Sequence, residues 1–283
     1  MIETPSFTFS ATLAAIISAG LEPLMVDIDS NFRMLPTGKN DTVLDVLPFG
    51  HKLRDASWYE KFKFSLIDAA ASFDALEGFG NYFSLRNTYS LVVSLHATKL
   101  LGAGEGGVVI SNNREFIRRI KEWSNFGFSS ISPIRESIFA GNNAKLSEYS
   151  CAVALASLDR WTEVKNLYKN NLQLAQGITK ASSFSLFDTT REGIVTPYWI
   201  VRHESEKKLD TLRKVAKAES IETREWWGKG CHRMPAYSNC TKTSLIETEK
   251  QSVRYLGLPF DNFLTADDWS RIEKLFYEVV KHE

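Results

Sequence analysis

Lys99 lies where an apolar run gives way to a glycine-rich segment, which is an unusual position for a simple surface charge. Residues 90–95 predict a strand, and residues 102–107, which read G-A-G-E-G-G, predict a turn. A lysine amine held on such a turn can form an imine with an aldehyde and can swing aside when the imine is exchanged. The alternative is an ordinary solvated loop lysine, the commoner state of an isolated lysine. Lys99 is therefore a candidate nucleophile.

Asp68 ends a second strand-like run, at residues 64–67, and is followed by alanines. Ligands of open parallel sheets bind beyond the carboxyl ends of the strands, where this carboxylate would lie. It could keep a pyridine nitrogen protonated there, so that the ring withdraws electrons from a neighbouring carbanion. Alternatively, Asp68 could cap the alanine-rich turn that follows. An aldehyde and a pyridine nitrogen occur together in pyridoxal 5'-phosphate (PLP), so Lys99 and Asp68 together suggest a PLP site.

The other polar candidates are weaker. The glycine-rich segment could let the backbone approach a ligand, but such segments are more often plain turns. His96 and His232 could contact a ligand, although each is more commonly structural, and neither has metal-ligand spacing to another histidine or cysteine. The sequence therefore predicts no metal site.

The elements that would position these residues alternate along the chain. Predicted strands cover residues 24–28, 42–49, 64–67, 90–95 and 108–111, and predicted helices cover residues 12–19, 56–62 and 114–123. This alternation favours βαβ units and a parallel sheet. A long helical stretch, near residues 145–178, precedes a predicted strand at 194–202 and helices at 207–218 and 269–280. We expect a PLP-binding large domain of residues 1–165 and a small C-terminal domain of residues 166–283.

The composition excludes several classes of protein. The 283 residues are 43% hydrophobic, and 34 basic residues balance 34 acidic ones, so no net positive charge favours nucleic acid. The apolar stretches are too short to span a membrane, and a cytoplasmic protein is expected. Three cysteines without a C-x-x-C pair predict neither disulfides nor a zinc site.

Several segments together resemble one family. Residues 94–99 and 104–107 read S-L-H-A-T-K and G-E-G-G, and they are similar to S-F-H-x-T-K and x-G-E-G-G of the DegT/DnrJ/EryC1/StrS family of PLP-dependent nucleotide-sugar aminotransferases. The similarity starts at residues 5–12, passes through 24–29 and reaches 256–259. It implies a PLP-dependent transferase fold of type I, which is α/β with a mainly parallel sheet, flanking helices and a small α+β C-terminal domain.

The resemblance also implies roles for individual residues. Lys99 falls on the lysine that forms the imine with PLP and moves the proton in the 1,3-transfer. Ser94 falls on a residue that binds the cofactor phosphate, and Asp68 falls on the aspartate of the E-D-A-A motif, the partner of the pyridine nitrogen. Phe9 matches an aromatic residue that stacks on the cofactor ring, a role that a flat apolar face suits.

Two further segments match motifs of the family, one that reaches into the partner subunit's site and one near the substrate. Residues 141–148, G-N-N-A-K-L-S-E, resemble G-x-N-x-[RK]-[ML]-x-E, which implies that Asn143 reaches phosphate across a homodimer interface; an asparagine in a plain turn is the alternative. Residues 231–237, C-H-R-M-P-A-Y, resemble L-H-x-x-P-x-[FY], which implies that His232 binds substrate.

The chain departs from the family pattern at three places. Ile67 replaces the glutamate of the E-D-A-A motif, and Ala71 stands where a glutamine or histidine usually approaches the phenolic oxygen of PLP. The chain also opens at a point well inside the family's large domain, beyond a Gly-Thr segment that binds phosphate at a helix N-terminus. We therefore expect an N-terminally incomplete large domain that binds PLP more weakly than a full-length relative.

The resulting hypothesis is an aminotransferase of amino-sugar biosynthesis. It would move an amino group from an amino-acid donor, glutamate by resemblance, to a nucleotide-linked keto-deoxysugar. Sugar dehydratases of the same family replace the imine-forming lysine by histidine, so Lys99 favours transamination. The other alternative is a catalytically silent member that acts as a binding or dimerisation partner.

Overall fold

Two β-sheets organise the computed structural model, which describes residues 1–76, 89–187 and 193–281. The strands are β1 (Ile2–Pro5), β2 (Pro23–Val26), β3 (Thr42–Val46), β4 (Phe64–Asp68), β5 (Tyr89–Ser94), β6 (Gly107–Ile110), β7 (Ser185–Leu186), β8 (Trp199–Arg202), β9 (Thr241–Lys242) and β10 (Tyr255–Leu258). The larger sheet has the order β6-β5-β4-β3-β1-β2-β9. Its neighbouring strands are parallel except β6, which runs antiparallel to β5. The alternation of strands and helices correctly predicted a mainly parallel sheet.

Eight α-helices flank the sheets in the described part of the chain. They are α1 (Ser10–Ser18), α2 (Ala56–Tyr59), α3 (Arg114–Trp123), α4 (Glu148–Asp159), α5 (Trp161–Lys180), α6 (Glu206–Ala218), α7 (Ile246–Ser252) and α8 (Ala266–Lys281). Asn113 begins α3 by accepting a hydrogen bond from the Phe116 amide, and Ser147 caps α4 in the same way. The predicted helix at 114–123 is confirmed, and the long helical stretch is divided at Arg160. None of the described helices has both the length and the apolar content to cross a membrane.

The smaller sheet is antiparallel, in the order β10-β8-β7, and it packs with α5, α6 and α8 around an aliphatic and aromatic core. Trp199 is fully buried there, and its indole nitrogen donates to the Thr179 hydroxyl at 3.1 Å. The predicted boundary between residues 165 and 166 falls inside α5, and β9, from the predicted small domain, pairs with β2 of the large sheet. The division into two domains stays a prediction.

An aromatic cluster joins the two sheets. Its members are Phe7, Phe32, Phe49, Phe187, Tyr198, Trp226, Trp227 and Tyr255. Phe49 has a positive φ of 58°, and its ring stacks on Trp227 at a centroid distance of 5.0 Å. The Thr196 hydroxyl donates to the Phe49 carbonyl at 2.8 Å, and a Cβ on Gly50 would lie 2.7 Å from the Thr196 Cβ. A hydrogen bond and close packing therefore hold the turn after β3 against the segment that leads into β8.

Candidate active site

Four of the predicted site residues gather at the carboxyl edge of the large sheet. Asp68 is the last residue of β4, Ser94 is the last residue of β5, and the two strands are parallel neighbours in which Asp68 pairs with Val92. Lys99 follows Ser94 on a turn, and Phe9 lies between β1 and α1. Since the carboxyl ends of parallel strands meet at one edge, the structure places Phe9, Asp68, Ser94 and Lys99 at the same side of the sheet.

Asp68 is half-buried, and each of its carboxylate oxygens accepts a hydrogen bond. The Thr12 hydroxyl donates to Oδ2 at 2.9 Å, and the Ala70 amide donates to Oδ1 at 3.1 Å. Thr12, in the first turn of α1, is itself hydrogen-bonded at 2.9 Å to the hydroxyl of Thr8, which precedes the helix. The bond to Ala70 is the local cap that the sequence offered as an alternative, and the bond to Thr12 fixes the carboxylate against α1. Thr12 was not identified from the sequence.

Lys99 is half-buried, and its amine contacts a residue that is distant in the sequence. The Lys99 Nζ donates to the Tyr198 hydroxyl at 3.0 Å, and it lies 5.8 Å from the centroid of that ring. In the part of the chain that the structure describes, Lys99 takes part in no salt bridge. Its amine is therefore held by a neutral partner rather than by a carboxylate. The sequence gives no signal for Tyr198, because the two residues are 99 positions apart.

The glycine-rich segment forms a tight turn beside Lys99. The Ala97 amide donates to the Gly104 carbonyl at 2.8 Å, and Gly104 and Gly106 have φ values of 90° and 135°. A Cβ on Gly106 would come within 2.4 Å of Leu146, and one on Gly102 within 2.7 Å of the Ala97 carbonyl. The turn itself therefore requires these glycines.

Three further candidates lie near these elements. Ser94 and His96 are in the segment that leads into the turn, and Phe9 immediately precedes α1. The Ser94 hydroxyl accepts from the His96 amide at 3.2 Å. The His96 ring contacts the Thr98 hydroxyl at 2.9 Å and lies 3.5 Å from Glu105. Phe9 leaves 61% of its surface exposed, which gives this edge of the sheet a flat apolar face that a planar ring can cover.

The two remaining predicted residues differ in exposure. Asn143 is exposed, and its side-chain oxygen accepts from Lys145 at 2.6 Å. His232 is 6% exposed, with Nδ1 at 2.7 Å from the Ser6 hydroxyl and Nε2 at 3.1 Å from Glu249. These contacts tie the segment after Gly230 to the end of β1 and to α7. The substrate-binding role of His232 stays a prediction, as does the phosphate contact of Asn143.

A second polar cluster lies on the opposite face of the sheet. Asp45 in β3 is fully buried, and its Oδ2 accepts from Tyr59 at 3.0 Å and from Arg54 at 3.3 Å. Burial raises the pKa of the Asp45 carboxyl, although the Arg54 charge and the Tyr59 hydrogen bond act against this shift. Burial also raises the pKa of Tyr59. Asp45 and Tyr59 are fully buried, so neither can reach a ligand at the surface.

Comparisons with known proteins identify the family of the chain. The sequence profile of the DegT/DnrJ/EryC1/StrS aminotransferase family matches residues 2–38 and 68–276. The chain belongs to this family. The dTDP-4-amino-4,6-dideoxy-D-glucose transaminase of Shigella dysenteriae is 25% identical over 294 residues, which cover 94% of this chain and 76% of that protein.

Solved structures of related proteins have the same fold as this chain. DesI, solved in the presence of its TDP-sugar product, is 27% identical, with a TM-score of 0.80 over 99% of this chain and 77% of that chain. A Bacillus cereus protein assigned as a PLP-dependent aminotransferase is 26% identical, with a TM-score of 0.83 over 98% and 78%. The predicted transferase fold of type I is therefore confirmed, and PLP is the cofactor of the family.

The residues at the carboxyl edge fit this cofactor. Asp68 offers a carboxylate at a fixed position, Phe9 offers an exposed flat ring, and Lys99 offers an amine without a competing carboxylate. Ala71 has no group that could reach a phenolic oxygen, so that contact is not supplied from this position. The chain is a PLP-dependent aminotransferase.

Proposed function

We propose that this aminotransferase moves an amino group from an amino acid to a keto group on a nucleotide-linked deoxysugar, in the biosynthesis of an amino sugar. Two relatives support the substrate class, because one is named as a dTDP-amino-dideoxyglucose transaminase and the other was solved with a TDP-sugar product. In the reaction, the keto oxygen is replaced by an amino group and a hydrogen, while the donor becomes a 2-oxo acid. With glutamate as donor, the second product is 2-oxoglutarate.

The observation that carries the proposal is that Asp68 ends β4 and Lys99 follows β5, two neighbouring parallel strands whose carboxyl ends lie at the same edge of the large sheet. PLP, when bound, supplies an aldehyde for covalent attachment and a pyridine ring that accepts the electrons of a broken C–H bond. The Lys99 amine would attach the cofactor and carry the proton between the two carbon atoms of the 1,3-transfer. The Asp68 carboxylate would hold a proton on the pyridine nitrogen. A dehydratase of this family would have a histidine at the position of Lys99.

Two other residues would orient the cofactor. The exposed ring of Phe9 would stack on the pyridine face and exclude water from it. The Ser94 hydroxyl lies at the end of β5, where it would donate to the phosphate. Together with Asp68, these contacts would fix the ring by its edge, its face and its phosphate.

The proposed assembly is a homodimer in which Asn143 approaches the partner's cofactor phosphate. Helix α4, which follows Asn143, has no buried residue within one chain although its sequence is mainly small and apolar. Leu155 and Leu158 expose 61% and 47% of their surface, and Tyr149 exposes 80%. Covering such a surface with a second copy removes apolar area from water, which favours association.

The proposal is tested by loading the purified protein with PLP and offering glutamate with TDP-linked 3-keto or 4-keto 6-deoxysugars. Mass spectrometry should detect the amino sugar and 2-oxoglutarate in equal amounts. Borohydride reduction before digestion should leave the cofactor mass on the Lys99 peptide. Attachment at another lysine would overturn the proposed site. Glutamate consumption without any sugar product would overturn the substrate class, and a failure of PLP to attach would favour the silent family member.

A further inference from the structure

The amine of Lys99 contacts a side chain that the family resemblance did not single out. The Lys99 Nζ and the Tyr198 hydroxyl are 3.0 Å apart, and the nitrogen also lies 5.8 Å from the centroid of the Tyr198 ring. Lys99 lies between β5 and β6 of the large sheet, whereas Tyr198 immediately precedes β8 of the small sheet. The hydrogen bond therefore crosses between the two sheets at the proposed site.

Tyr198 is held from two directions, so its hydroxyl has a fixed position. Its ring packs edge-on against Phe49 at 5.8 Å and against Trp226 at 5.3 Å. Two residues earlier, the Thr196 side chain is bound to the Phe49 carbonyl and packed against Gly50 with no room for a Cβ. One residue later, β8 begins its pairing with β10.

A free lysine side chain has four rotatable bonds and samples many rotamers. An acceptor at a fixed position selects those rotamers in which the amine lies beside it. We propose that Tyr198 is a positioning residue, which holds the Lys99 amine ready to attach PLP and receives it again whenever it is released. The inference rests on the proposed role of Lys99. Tyr198 acts through the lysine, while Asp68, Phe9 and Ser94 act on the cofactor.

The test compares Tyr198→Phe with the wild-type protein, because phenylalanine keeps the ring in the aromatic cluster and removes only the hydroxyl. Cofactor-free protein of residues 1–283 is mixed with PLP, quenched with borohydride at successive times, and digested to measure the modified fraction of Lys99. We expect attachment to slow by about 10-fold, the factor that corresponds to 1.4 kcal/mol. A thermal melt checks that the variant is folded.

A second ligand separates positioning of the lysine from damage to the site. Pyridoxamine 5'-phosphate has no aldehyde and cannot attach to Lys99, so its dissociation constant, followed by tryptophan fluorescence, should be unchanged in Tyr198→Phe. Tyr168→Phe is the matched control, because Tyr168 is also half-buried and packs on an aromatic ring, that of Phe260. It should attach PLP at the wild-type rate.

The outcomes are distinct. Wild-type attachment rates in Tyr198→Phe, equal slowing in Tyr168→Phe, or a parallel loss of pyridoxamine phosphate affinity would each overturn the positioning role. Each of these results leaves the proposed function intact as long as PLP is found on Lys99. If wild-type protein carries PLP on another lysine, both the proposed site and this inference fail.

Discussion

Two aspartates on neighbouring strands, Asp45 and Asp68, differ in the face of the sheet on which they lie and in their burial. Asp45 of β3 pairs with Ile67, one position before the pair of Val46 and Asp68. Because successive side chains alternate between the faces of a sheet, Asp45 and Asp68 point to opposite faces. Asp45 is fully buried, whereas Asp68 is half-buried at the carboxyl edge.

The partners of the two carboxylates explain the difference. Asp45 is bound by a tyrosine and an arginine, both of which are part of the same interior, so its hydrogen bonds serve the fold. Asp68 is bound by a threonine of α1 and by a backbone amide, which orient the carboxylate without supplying a cation. A carboxylate that is oriented but not neutralised can still bind a proton-bearing ligand nitrogen.

The largest expected effect is that of Lys99→Ala, which removes the amine proposed to attach PLP. Covalent attachment of PLP should disappear, and transamination should fall by several orders of magnitude. Borohydride reduction with peptide mapping measures the attachment, and a coupled assay for 2-oxoglutarate measures the transamination. Lys169→Ala, at an exposed position of α5, is the control and should behave like wild type. A cofactor adduct that persists in Lys99→Ala would contradict the assignment.

Asp68→Asn tests whether the half-buried aspartate at the carboxyl edge serves catalysis. The amide keeps the shape of the side chain but loses the charge, so transamination should slow by orders of magnitude while PLP still attaches to Lys99. Asp45→Asn is the matched control and should retain the turnover of the wild-type protein. The steady-state turnover of the two variants is compared on protein samples with equal PLP content. Similar rates for the two variants would mean that Asp68 is only a cap.

Arg54→Met tests the role of the buried Asp45, because it removes the cation that is hydrogen-bonded to this carboxylate and leaves only the charge of Arg33 acting on it. The Arg54 side chain is 16% exposed, and breaking such a pair should lower the free energy of unfolding by about 3 kcal/mol at neutral pH. The folded-state pKa of Asp45 is already raised above its ordinary value of 3.8, so its ionisation disfavours folding as the pH rises above 3.8.

Urea denaturation at about pH 4 and about pH 7 should therefore show a smaller difference from wild type at the lower pH. Arg160→Met, which removes an exposed arginine paired with Glu163, should change stability little at either pH. A loss for Arg54→Met that is the same at both pH values would show that the pair is not linked to ionisation of Asp45.

The smallest effect should come from Tyr59→Phe. The substitution removes one donor to Asp45 and leaves Arg54 in place, so we expect a loss of about 1–2 kcal/mol in the free energy of unfolding. Urea denaturation, with the exposed Tyr277→Phe as control, provides the measurement. If the loss exceeded that of Arg54→Met, the order of importance within the buried cluster would be reversed.

Local patterns predicted the elements that carry the site. The apolar run before Asp68 became β4, the run before Lys99 became β5, and the helical period at residues 114–123 became α3. Each of these depends on residues close together in sequence. Asp68 and Lys99 could be recognised because they follow such runs.

Contacts between distant segments could not be predicted in this way. Tyr198 and Thr12 meet Lys99 and Asp68 only through the packing of separate elements. The strand at residues 2–5 was missed because buried Glu3 and Thr4 interrupt its apolar pattern. The face on which Asp45 lies depends on register, which alternation alone does not reveal.

The short strand β9 has a consequence for how the molecule is built during synthesis. Thr241 and Lys242 pair in parallel with Leu24 and Met25, so strands from opposite ends of the chain are neighbours. A ribosome adds residues in order, and a contact between such distant segments is slow to form because a very long loop must close. The backbone groups on the outer edge of β2 therefore stay unpaired until residues 241–242 have been synthesised, and until then this edge is open to pairing with a wrong strand.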